Sequence, residues 1–217
     1  MSVVFQWLPV IALLGVLLTA IILTLTVEWR VTFAALGLQY IFAALLLTQA
    51  VVWQVAAVEA VVGILVVIIL TLTGRQINFG RMASSPAVQL PGQLARLVGP
   101  IEFQTNVPFR LIAILLAAVL VWFTVVVGNY VLPGLPLPLN LAGVWLIFLG
   151  LFGLGFTDEP MNAGAALLTT ITGFEIIYAP LEPSLLVVAS LAVVNFAIAL
   201  AVSYLALLRV AERELAE

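Results

Sequence analysis

The chain has 217 residues, 65% hydrophobic and only 8% charged, with a mean hydropathy of +1.32; a soluble domain is about a quarter charged, so this composition belongs in a bilayer. It has no cysteine and no histidine, which excludes disulfides, thiolate chemistry, histidine-ligated haem and the usual zinc sites. All seven cations are arginines, set against ten acids with no basic tract for nucleic acid or anionic lipid, so any proton or ion work falls to carboxylates.

A transmembrane helix needs about 20 apolar residues, and the charges and prolines divide the chain into seven such runs. They are predicted near 5–27, 31–50, 51–73, 110–132, 139–157, 162–181 and 184–208. The first lacks a basic leader and is too long for a signal peptide, so it is expected to stay as a helix. Only Gln49 and Gln54 mark the break between the second and third runs. The loop after the third run holds Gly74, Gly80, Pro86, Pro91, Gly92, Gly99, Pro100 and Pro108. It is too broken for a span, and residues 89–98 are expected to lie along the interface with Arg96 reaching toward headgroups. Val131 to Pro138 is a proline-broken turn.

With seven spans, Arg30, Arg75, Arg81, Arg96, Arg209 and Arg213 share one side, and Arg110 sits where the basic loop enters the fourth helix. The positive-inside rule then puts the N-terminus outside and the C-terminus in the cytoplasm.

The chain also carries an internal match at an offset of 136 residues, the separation of Gln39 from Glu175. Gly37-Leu38-Gln39-Tyr40-Ile41-Phe42-Ala43 aligns with Gly173-Phe174-Glu175-Ile176-Ile177-Tyr178-Ala179, and Val58-Glu59 aligns with Val194-Asn195. The expected fold class is therefore all-α: a polytopic membrane protein of seven transmembrane helices. Two parallel three-helix repeats, helices 1–3 and 5–7, are joined by helix 4 and related by an axis along the membrane normal. The organisation reads as repeat 1 over 1–75, a cytoplasmic or interfacial loop over 76–109, helix 4 with its outer turn over 110–138, and repeat 2 over 139–217.

A charge at mid-membrane costs about 2.5–3.5 kcal/mol on insertion scales, so an intramembrane acid is a functional-site hypothesis by default. Glu59 in helix three and Glu175 in helix six have no arginine within one turn in sequence. An unpaired carboxyl in that setting is suited to proton uptake and release. The expected relay residues are Glu59, Glu175, Gln39, Gln54 and Asn195. A plainer reading makes each glutamate a neutral interhelix hydrogen bond to Gln39, Gln54 or Asn195. The other acids have ordinary explanations. Glu28 lies at a helix end beside Arg30, Asp158 and Glu159 complement a helix N-terminus, and Glu182 sits between prolines in an outer loop. No phosphate loop, nucleophile–base set or metal-ligand spacing occurs, so no catalytic residue, cofactor site or metal site is expected.

Residues 162–213 resemble the second and third helices of the K subunit of respiratory complex I (NADH-quinone oxidoreductase). There a Gly-Leu-Glu-Ile type motif is followed by a second buried acid on the next helix. Gly173-Phe174-Glu175-Ile176 matches the first motif, while Asn195 replaces the second acid; the N-terminal copy reverses this, with Gln39 for the first acid and Glu59 retained. Length, helix number and the Gln39 context are similar to the hydrogenase-4 component E family, which looks like a duplicated K-type subunit. The resemblance implies a non-catalytic membrane-arm subunit of a redox-driven proton-pumping complex in a prokaryotic inner membrane. Its partners would be antiporter-like and other membrane subunits within the lipid bilayer, with no nucleic acid and no cofactor. The rival expectations are a structural scaffold subunit and a stand-alone small secondary transporter.

Overall fold

The computed structural model describes residues 3–26, 28–77, 107–128, 135–182 and 184–216, with side chains between Trp7 and Glu212. The expected interfacial segment 89–98, most of the loop 76–109, and residues 131–134 of the outer turn lie outside the described residues. So do Arg81, Arg96 and Glu102 and the side chain of Arg213.

Seven helices run through the described residues. They are α1 (Val3–Leu25), α2 (Trp29–Leu47), α3 (Trp53–Gln76), α4 (Val107–Val121, continued as a π-helical turn over Trp122–Val127), α5 (Leu137–Gly155), α6 (Pro160–Tyr178) and α7 (Leu185–Ala216). Six of them are long and apolar enough to cross a membrane. The exception, α6, matches α2 and α5 in length at 19 residues but carries Asn162, Thr169, Thr170, Thr172 and Glu175. An interior helix has fewer lipid-facing positions to fill with apolar side chains, and α6 packs against α1, α2, α5 and α7. The protein is an all-helical polytopic membrane protein. Its outward side chains fit that setting: Leu186 is 81% exposed, Trp53 70% and Leu115 69%, a surface that in water would invite aggregation.

Helices α1, α2 and α3 pack in sequence, as do α5, α6 and α7, and the two rows face each other. Helix α1 lies against α5, α2 against α6 and α3 against α7, with α4 closing the α1/α5 edge. A simple twofold axis along the membrane normal would instead set α1 opposite α7, so the rotation axis expected from the sequence does not describe this order. Neighbouring helices within a row meet through small residues. Where α5 crosses α6, Gly143 and Gly173 meet backbone to backbone. A methyl placed on Gly143 would lie 2.9 Å from the Gly173 carbonyl oxygen, and one on Gly173 would lie 2.7 Å from that of Gly143.

One end of the bundle gathers the described cations. Arg110 at the start of α4 donates from Nη1 to the Thr24 carbonyl at the end of α1, 2.8 Å away. Arg209 on α7 donates to the Asp158 carbonyl at 2.7 Å, tying α7 to the α5–α6 turn. Arg30 at the start of α2 and Arg75 at the end of α3 belong to the same end. Helix α7 has 32 residues and is therefore about 48 Å long, well over the about 30 Å of hydrocarbon it has to cross. The expected span 184–208 captured its apolar part only, because the last two turns are helical but polar.

Candidate functional site

The acids at Glu59 and Glu175 meet. Glu59 is six residues from the start of α3, and Glu175 is three from the end of α6. These two helix ends lie opposite the arginine-bearing end, and the facing rows bring the two carboxyls within hydrogen-bonding reach of each other. Glu59 is 8% exposed and Glu175 3%. Among the described residues neither Glu59 Oε1 nor Glu175 Oε2 has a hydrogen-bond partner; a carboxyl proton placed between the two acids would give each one. The arginines with described side chains, Arg30, Arg75, Arg110 and Arg209, all lie at the far end of the bundle.

Two further helices complete the group. From α7, Asn195 donates from Nδ2 to Glu175 Oε1 at 2.8 Å. From α2, the Tyr40 hydroxyl donates to Asn195 Oδ1 at 3.4 Å and lies within hydrogen-bonding reach of Thr172 on α6. Tyr40, Asn195 and Thr172 are fully buried. The ring of Tyr40 occupies the notch left by Gly63 on α3, where any side chain would overlap it. Four helices thus contribute one chain of polar contacts, Thr172 to Tyr40 to Asn195 to Glu175 to Glu59.

Three of the five residues expected from the sequence converge here: Glu59, Glu175 and Asn195. Gln39 is fully buried one residue before Tyr40, but neither of its side-chain polar atoms has a partner among the described residues. Gln54 stands apart. It is exposed in the first turn of α3, and five residues at about 100° each carry it to a different face of the helix from Glu59. Tyr40 and Thr172 were missed. Thr172 shares a helix face with Glu175 at three residues' spacing, which is a signal the sequence contained; Tyr40 carried no such mark.

Among the described residues no group of three or more His, Cys, Asp or Glu gathers as a metal site. A carboxyl pair joined to an amide and two hydroxyls can hold a proton and pass it along hydrogen bonds.

A second polar feature lies toward the arginine-bearing end. A cleft of about 30 Å³ opens between α1, α2, α4, α5 and α6, lined by Thr24, Thr26, Thr32, Arg110, Thr157 and Asn162, with Thr169 among its other lining residues.

No protein-family model matches this chain, and no curated protein or solved structure matches it significantly.

Proposed function

We propose that this protein is a proton-relaying membrane subunit of a redox-driven, complex I-like or hydrogenase-type assembly, with the Glu59–Glu175 pair as its proton-holding site. The observation that carries the reading is the meeting of the two intramembrane acids, far apart in sequence, with no cation beside them among the described residues. A site built only to fix helix register has no need of a second carboxyl, since Asn195 and Tyr40 already bond across three helices. The resemblance to K-type subunits supplies the assembly. The positive-inside rule supplies the orientation, with the arginine-bearing end in the cytoplasm and the N-terminus outside.

A duplicated three-helix unit belongs to the same proposal. What supports it is that positions 136 residues apart share their environment. Gln39 and Glu175 are buried, as are Glu59 and Asn195, while Leu38 and Phe174 are both exposed.

The test begins with the tagged chain drawn from its own membranes in mild detergent. An antiporter-like polypeptide of many spans is expected to accompany it, and recovery of the chain alone would overturn the subunit assignment in favour of a stand-alone transporter. Glu59→Gln and Glu175→Gln are then expected to abolish proton pumping while leaving the yield of the assembly unchanged. Parental pumping by both variants would end the relay reading, and loss of yield instead of pumping would establish the scaffold. Dicyclohexylcarbodiimide, which adds to protonated carboxyls in apolar surroundings, is expected to label one glutamate of the pair per chain.

A further inference from the structure

The carboxyl pair lies near the arginine-free end of the bundle. Glu175 is fifteen residues from the start of α6, about 22 Å along the helix from the arginine-bearing end. A relay open to that end needs a polar descent, and the cleft beside Arg110 supplies its first half. Its volume of about 30 Å³ has room for about two waters, since one needs about 10–15 Å³. In it Asn162 Oδ1 and Arg110 Nε are buried without a partner among the described residues, a setting in which ordered water supplies the bonds.

Three helices carry the polar lining beyond the cleft. On α6 the cleft reaches Thr169, and Thr172 and Glu175 follow on the same face at about 4.5 Å steps. Both hydroxyls are buried and donate to carbonyls one turn back, at 2.9 Å each, leaving their lone pairs to accept. On α2 the stripe that lines the cleft at Thr32 continues through Ala35 to Gln39, about 10 Å further, whose amide has no partner at either atom among the described residues. On α5 the stripe that lines it at Leu149 continues to Trp145, about 6 Å further, whose indole Nε1 likewise has none among them. Past that level the stripes on these helices are apolar: Ala43 and Leu46 on α2, Ala142 and Leu139 on α5, Ile176 and Ala179 on α6 belong to one packed cluster, which also extends back along α5 to Trp145 and Leu149. Asn140 is the buried polar exception there, and it interacts with groups of its own.

We propose that the cleft is the water-bearing mouth of a one-sided proton path, running from the arginine-bearing end past Thr169, Gln39 and Thr172 to the carboxyl pair. This rests on the relay reading and adds its route and its side. The apolar cluster beyond the pair closes the opposite approach.

The chain contains no cysteine, so single-cysteine variants report without background. Thr169→Cys in the full chain, in oriented vesicles, would be treated with a charged, membrane-impermeant methanethiosulfonate. The comparison is Ala199→Cys, which is equally buried but sits in the apolar packing of α3 and α7. Because the reacting thiolate forms only where water reaches it, Thr169→Cys is expected to react at least about tenfold faster than Ala199→Cys, and from the arginine-bearing side only. Equal rates, or faster reaction from the other side, would overturn the proposal. Asn162→Cys at the cleft mouth keeps it falsifiable if Thr169→Cys folds poorly; it too must react from the arginine-bearing side. Glu59→Gln and Glu175→Gln should leave these rates unchanged, so a failed mouth and a failed relay give different results.

Discussion

The two rows of helices place polar side chains at matching positions and use them differently. In the row α5–α7 the middle and last helices close a bond, Glu175 with Asn195 at 2.8 Å. In the row α1–α3 the matching pair is Gln39 and Glu59, and no bond forms between them: Gln39 has no partner among the described residues and Glu59 faces across the bundle to Glu175. Glycine shows the same divergence. Gly173 meets the backbone of Gly143, whereas a methyl on Gly37 would make only an ordinary 3.5 Å contact with Val67. One row bonds its matching pair to each other as well as across the bundle, and the other uses its acid only in the shared site.

Substitutions at these matching positions test that contrast. Gly173→Ala drives a methyl into a carbonyl oxygen with no flexible side chain to yield, and is expected to destabilise by about 3 kcal/mol, read as a fall in thermal denaturation temperature in detergent. Asn195→Ala removes a hydrogen bond to a carboxyl and the acceptor of Tyr40, an expected loss of about 1–2 kcal/mol in the same assay. Gly37→Ala is expected to go the other way, stabilising by up to about 1 kcal/mol, because the helix loses a flexible residue where there is space for a methyl. Gln39→Leu is expected to fall within about 0.5 kcal/mol of the parent, since a buried amide without partners has little to lose. If Gln39→Leu cost as much as Asn195→Ala, the two rows would be alike after all.

The spans were legible because apolar runs of membrane length leave little choice of element. All seven helices begin within three residues of their expected starts. Burial was less legible. Gln54 and Gln39 read alike in sequence as polar residues in apolar runs, but Gln54 sits where α3 has barely begun and stays exposed, while Gln39 lies inside. The meeting of Glu59 with Glu175 depends on which helix faces which, a long-range choice that hydropathy does not encode. The facing order α1 with α5 and α3 with α7 was likewise unavailable from the match of the two halves, because similar units can be placed against each other in more than one way.

Gly63 has a kinetic consequence through its contact with Tyr40. The Tyr40 side chain lies close against the α3 backbone at Gly63, which hinders movement of its ring. On the proposed relay, a proton crossing this group travels as a succession of short hops between positioned hydrogen-bonding atoms rather than on a swinging arm. Such transport is expected to slow in heavy water and to be indifferent to the fluidity of the surrounding lipid.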